Sequence, residues 1–395
     1  MTTLINDLID LARALPGPAW LRDARIAAAQ RATAMPFPSV EDEIWRYSRI
    51  GELDVASFDR AAQLAVTSPT VVDAAALVTS VDGDSDPALA PLVAAPVGTA
   101  DLFSELNLAG AELPVVVRIP AGRVVEAPIV VDNEISIDGV VRFPRLVIDA
   151  GPNSEVTVVE RFRSTDVRAL VCPVVSINAA DSARVRYLAI NELGPATWLI
   201  AHQVAVGGRD STVSLASVAF GGDYSRVRTE VSLIGVGAHA EQIGVSFGER
   251  SQMHDLRVLQ DHVAPRTTSN LLFKGAVQNH ARSVYTGLIK MGKNARGSSA
   301  FQTNRNLKLS EGAWAESVPN LDIETNDVRC SHASAVGPID AEQRFYLESR
   351  GVPPSVAERL IVLGFFDEVL AKLPDPGVVA GLHAAVAAKL DRRHG

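Results

Sequence analysis

The chain has 395 residues, 47% of them hydrophobic and 21% charged, with 46 acidic side chains against 37 basic and a net charge of −9. That length calls for two or three domains rather than one core. The acidic balance argues against a nucleic-acid binder, which needs a basic stripe to displace counterions, and gives no attraction to an anionic membrane.

A first segment, residues 1–106, opens helical. Thr3 to Leu15 and Pro18 to Ala34 have helical spacing and are rich in Ala, Leu and Arg. Met35-Pro36-Phe37-Pro38 stops the second helix. Ser39 then reads as an N-cap, with Glu41, Asp42 and Glu43 in the first turn of a further helix. Trp45, in Ile44-Trp45-Arg46-Tyr47, is either a partner anchor or, more commonly, the residue that packs a short helix on its own domain. Residues 66–100 have weak periodicity and read as irregular chain with short strands.

The second segment, residues 107–336, is dominated by strands such as Val115–Ile119, Glu155–Val159, Arg184–Leu188 and Thr212–Leu215. No amphipathic segment of helix length separates them, which argues against βαβ units. A small turn followed by Ser or Ala and an alternating strand recurs at Ser154, Ala183, Ser211 and Ala240, then less regularly at Ala281 and Ala295. A strand-only period near thirty residues predicts a solenoid, and the absence of blade signatures favours a β-helix over a propeller. An all-β sandwich is the alternative. Cys172, in Val171-Cys172-Pro173-Val174, reads as a small core residue.

The third segment, residues 337–395, is helical. Asp340 begins one helix, with Gln343 at the capping-box position and Gly351 at the stop. Ser355 to Glu358 reads as a second capping box opening a helix to Leu370, and a last helix runs to about Leu390. Apolar residues surround more than one stripe of the Ser355–Leu370 helix, so it needs cover on several sides, from its own domain or a partner.

Four motifs bear on chemistry. Gly287 to Asn294 nearly matches a phosphate-binding loop, but Asn294 replaces the hydroxyl residue and Ala295-Arg296-Gly297-Ser298 is a poor helix start. A turn between coils accounts better for the glycines, and no bound nucleotide is expected. His254, Asp255, Asp261 and His262 are candidates for a metal or acid–base cluster, although they lack metal-ligand spacing and a polar ladder accounts for them better. Two cysteines in this length form no disulfide framework; with an N-terminus lacking a basic run and no stretch of ~20 apolar residues, a cytoplasmic location is expected. Cys330-Ser331-His332 is the sharpest candidate. In a strand, residues i and i+2 share a face, so a thiol and an imidazole project together, and both bind soft or borderline metals. Two ligands do not close a site, so others must come from elsewhere.

The stretch from Val328-Arg329-Cys330-Ser331-His332 through Gly337-Pro338-Ile339-Asp340 to Gly351 resembles the SufB/SufD family, the scaffolds of the Suf iron–sulfur cluster machinery. Asp261-His262-Val263-Ala264-Pro265-Arg266-Thr267, Asn306-Leu307-Lys308-Leu309-Ser310 and Asp42-Glu43-Ile44-Trp45-Arg46-Tyr47 carry the resemblance across the chain. Cys-x-His is similar to the SufD branch; SufB has Glu-His-Glu-Ala there and keeps a cysteine where this chain has Phe301-Gln302-Thr303-Asn304. Ala333 and Ala335 depart from the branch's usual Gly and Thr. The resemblance implies a mainly β protein, a right-handed parallel β-helix between helical ends, pairing with a SufB-like subunit, and docking of a SufC-like ATPase on the C-terminal helices. It implies a transient iron or iron–sulfur cluster shared with SufB, with His332 the leading ligand and Cys330 second. It also implies a scaffold, not an enzyme, with a homodimer possible for the isolated chain. Two rival readings stay open: a carbohydrate-active β-helix enzyme, which needs paired carboxylates, and a purely structural subunit without a metal role.

Overall fold

A computed structural model describes residues 8–60, 67–70, 76–82, 85–95, 98–111 and 113–392. Its centre is built from β1 (Val115–Ile119), β2 (Ile129–Ile135), β3 (Arg145–Ala150), β4 (Glu155–Ser164), β5 (Val174–Ala179), β6 (Arg184–Glu192), β7 (Thr197–Gly207) and β8 (Thr212–Ala219). It continues with β9 (Tyr224–Leu233), β10 (His239–Gly248), β11 (Met253–His262), β12 (Thr268–Val277), β13 (Arg282–Met291), β14 (Ser298–Lys308), β15 (Trp314–Ile323) and β16 (Val328–Gly337). Odd-numbered strands form one sheet and even-numbered strands the other, each pairing in parallel with the strand two places along. This is the expected parallel β-helix, of about eight coils. Antiparallel strands Leu77–Ser80 on β1 and Thr67–Thr70 on β2 cover its first coil.

The repeat has a local cause. At the corner before each even strand from β4 to β14, one residue takes a left-handed conformation and the next is small and buried. The pairs are Asn153–Ser154, Ser182–Ala183, Asp210–Ser211, Gly237–Ala238, Arg266–Thr267 and Gly297–Ser298. The positive φ turns the chain within a single residue, a conformation that Gly, Asn and Asp reach most cheaply. The N–H of the left-handed residue then donates to the next coil, as Asn153 to the Asp181 carbonyl and Gly297 to that of Asp327. The repeat at Ala240 is therefore displaced: Thr212 pairs with His239, so Ser211 stacks on Ala238. Ala281 marks the opposite corner, before β13, and Ala295 accepts the Ser298 N–H within the corner.

Side chains alternate along each strand, giving three cores. Val, Ile and Leu of both sheets fill the solenoid interior. The outer face of the odd sheet, with Trp198 and Tyr224, packs against α1 (Leu8–Ala14), α2 (Ala19–Ala34), Trp45 and α3 (Leu102–Gly110). Trp45 sits under the Arg226 guanidinium, 4.0 Å from its ring centroid, and tilts on Phe103, so it packs within this chain and joins the N-terminal segment to the odd sheet. The outer face of the even sheet packs against the C-terminal helices, with Phe366 stacked on Phe247.

Three helix starts differ from expectation or fall partly outside view. Residues 3–7 of the first helix lie outside the described residues. Ser39 caps no α-helix: its hydroxyl accepts the Glu41 N–H in a turn, and one 3-10 turn follows at Glu43–Trp45, ended by Tyr47 at positive φ. Ser355 is no N-cap either, because α5 (Pro354–Leu370) already begins at Pro354. Proline fits a first helical position, having no N–H to satisfy there. Asp340 does cap α4 (Ala341–Ser349), accepting the Glu342 and Gln343 N–H groups, and Gly351 ends it at positive φ. α6 (Pro376–Asp391) is the last helix among the described residues.

One polar group inside the solenoid sets a pH dependence. Glu160 accepts from the Tyr187 hydroxyl at 2.6 Å and the Asn133 amide at 3.0 Å. Burial outweighs these donors and pushes its carboxyl up to about 7. The folded state therefore binds the proton more tightly than the unfolded chain. Its contribution is full below the ordinary carboxylate range and is lost as pH rises through about 7. Urea unfolding at pH 5 and pH 8 is expected to show a loss on the order of 3 kcal/mol from this group. Glu160→Gln should remove that loss, and an unchanged pH slope would contradict the assignment.

Candidate functional site

β15 and β16 are the last strands of their sheets, and among the described residues nothing pairs with their outer edges. Cys330 pairs with Ala300 and His332 with Gln302. Ala300 belongs to the interior core, and Cys330 packs against that core, so Cys330 and His332 both project over the mouth of the solenoid. Ser334 continues this face, and its hydroxyl donates to Ser317 of β15 at 2.7 Å, linking the two last strands. Cys330 is half-buried and His332 exposed. Ala333 lies on the opposite face, paired with Thr303, and is not among the residues at positive φ. The backbone here thus needs no glycine.

Burial pushes the Cys330 thiol above its ordinary value. At neutral pH it is protonated, and only a metal or a cation brought to it would release the proton. Among the described residues no group of three His, Cys, Asp or Glu side chains could hold a metal ion, so the pair at the mouth is an incomplete set.

The structure disperses the other candidates. On β11, His254 and His262 share the inward face with Leu256 and Val258, while Asp255 and Asp261 point outward. Asp255 is fully buried between Arg226 and Arg257, whose guanidiniums also reach the carbonyls of Ile44 and Arg46. It ties the N-terminal segment to the odd sheet. His262 is held through both ring nitrogens by the Thr267 and Ser269 hydroxyls, and burial lowers it to about 4. Burial lowers His254 to about 3. The two aspartates, six residues apart on one strand, stand about 20 Å apart, too far for a glycosidase pair. That removes the carboxylate pair the carbohydrate-active reading relied on.

Gly287 lies within β13 rather than in a turn: a Cβ there would come 2.5 Å from the Gln302 amide nitrogen and 2.6 Å from the Tyr285 hydroxyl. A strand, β14, follows where a phosphate loop opens into a helix. A cleft of about 370 Å³ lies far along the solenoid under α6. Its central charges are already paired, Glu249 with Lys389 at 3.1 Å and with Arg392 at 2.7 Å, which fastens α6 to the coils. Cys172 is buried in the N-terminal core.

Two features escaped the sequence. Gln302 lies beneath His332, a relation visible only through the coil period of about thirty residues. Phe345 and Tyr346 of α4, and Val356 and Leu360 of α5, are exposed apolar side chains on two helices that pack together. The solenoid covers the Phe366 side of α5 and leaves Val356 and Leu360 exposed.

A family model described as the SufBD core domain of the SUF system for FeS cluster assembly matches residues 133–365. An iron–sulfur cluster assembly SufBD family protein of Mycobacterium tuberculosis is 33% identical over 371 residues, 91% of this chain and 90% of that one. The iron–sulfur cluster assembly protein SufD of Escherichia coli is 30% identical over 244 residues, 62% of this chain and 58% of that one. SufD of Bacillus subtilis is 30% identical over 275 residues, 69% of this chain and 63% of that one.

Alkylation distinguishes the two thiols. Iodoacetamide should modify Cys330 in the folded chain and leave Cys172 untouched, at a rate that rises about tenfold per pH unit below the Cys330 pKa. Mass spectrometry of tryptic peptides reads both sites. Fast labelling of Cys330 already at pH 6 would contradict a raised pKa.

Proposed function

The chain belongs to the SufBD family of iron–sulfur cluster assembly proteins, and from that premise we propose that it is a scaffold subunit rather than an enzyme, contributing His332 and Cys330 to a site completed by a second, SufB-like chain. The observation that carries this reading is the open mouth: two metal-binding side chains on the inward face of an unpaired edge. Edge strands offer a row of free N–H and C=O groups as a template for another chain's strands. Pairing there would bring a partner's side chains to the two that this chain supplies. Iron, or the growing cluster, is the cargo of such a site. His332 would bind first through a ring nitrogen; Cys330 would follow as its thiolate, its proton displaced to solvent by the cargo's positive charge. The same edges would join two copies when the chain is alone.

The exposed apolar side chains of Phe345, Tyr346, Val356 and Leu360 fit a SufC-like ATPase. ATP-driven movement of docked ATPases would open and close the shared site. No helix of the described residues is long and apolar enough to cross a membrane, and we place the assembly in the cytoplasm.

Reconstitution of the complex with its SufB-like and SufC-like partners tests the ligand role. His332→Ala should lower cluster formation at least tenfold and Cys330→Ala by less, read by visible absorbance and iron content. Wild-type loading in His332→Ala would leave only the purely structural subunit. Tyr346→Asp with Leu360→Asp should abolish ATPase co-purification without lowering the melting temperature, because both side chains are exposed. Retained co-purification would exclude this surface.

A further inference from the structure

We propose that Pro319 guards the open edge of β15 and, independently of any metal at the mouth, keeps the isolated chain from adding a second copy of itself along that strand. The direction of each β15 amide follows from the ladder. The Trp314 N–H donates to the Ala281 carbonyl and the Glu324 N–H to that of Met291, both on the β13 side. β15 pairs with β13 residue for residue from Trp314 to Ile323, with no bulge to shift the alternation. Successive N–H groups of a strand point to opposite sides, so the even-numbered residues of β15 face β13 and the odd-numbered ones face the open edge. Pro319 is odd-numbered and stands near the middle of the strand. It has no N–H to offer, so the row of outward donors at Ala315, Ser317, Leu321 and Ile323 is broken at its centre.

The other sheet ends show what the proline does. At the far end of the solenoid, Thr67–Thr70 carries Pro69, and Leu77–Ser80 is only 4 residues long. Prolines and short strands are two of the ways in which an edge is kept from pairing with another chain. β16, of 10 residues, contains no proline. Without Pro319 both sheets would end at the mouth in uninterrupted edges of 10 residues. Two copies meeting mouth to mouth could then pair along both sheets at once. With Pro319 in place β16 alone offers an unbroken row, and a second copy gains much less backbone pairing.

Sedimentation equilibrium of the isolated chain tests the guard with two substitutions that restore the N–H, Pro319→Thr and Pro319→Gly. The Pro319 nitrogen faces away from β13, so neither substitution removes a ladder hydrogen bond and both variants should fold. Each should tighten self-association about tenfold relative to wild type, because a symmetric pair regains a backbone hydrogen bond from each copy. Pro319→Thr should exceed Pro319→Gly, since threonine also favours a strand. Amide exchange in β15 should slow as protein concentration rises in both variants and stay constant in wild type. Wild-type association in both variants overturns the guard. Tightening in Pro319→Thr alone assigns the effect to strand propensity rather than to the missing N–H, and overturns it as well.

Discussion

Each coil of a parallel β-helix satisfies its backbone on the coil before and the coil after, so the fold has no internal reason to stop. At one end antiparallel strands lie across the first coil. At the other, β15 and β16 leave their outer edges and inward faces open. That open end places Cys330 and His332 on one face, and in the reading proposed above a second chain completes both the backbone pairing and the ligand set.

Charge and burial divide the rest of the molecule into parts that hold and parts that remain free. The Arg226–Asp255–Arg257 group fastens the N-terminal segment to the odd sheet. Lys274 with Glu368, and Lys389 with Glu249, fasten α5 and α6 to the even sheet. Removing one partner of the fully buried Arg226–Asp255 pair strands a charge and costs several kcal/mol, about 3–5, whereas the half-exposed Glu368 leaves its pair partly screened by solvent. These groups resemble functional clusters in composition, and their partners show them to be structural. Gln302 is the converse: ordinary in composition, and without a partner.

Much of the architecture was legible because its cause is local. A left-handed residue followed by a small buried one needs little context, so Asn153–Ser154 and Asp210–Ser211 announce corners in the sequence. The register slipped at Ala240 because Gly237–Ala238 carries the same geometry in less distinctive residues. Ser39 and Ser355 misled for a related reason: capping chemistry is local, but Tyr47 at positive φ and Pro354 at the helix start decided the outcome. Cys330 and His332 could be paired from strand alternation alone. Gln302 could not, because its relation to His332 crosses a whole coil. The split of His254 and His262 from Asp255 and Asp261 follows from alternation once β11 is known to be a single strand.

The central claim is that the open coil supplies half of a shared iron site. Diffraction at the iron edge from the iron-loaded complex with the SufB-like subunit tests it most directly. The account predicts an anomalous peak at the mouth between β15 and β16, bonded to a ring nitrogen of His332 and to at least one side chain of the partner. An iron peak held entirely within one chain, or lying away from His332, would contradict it.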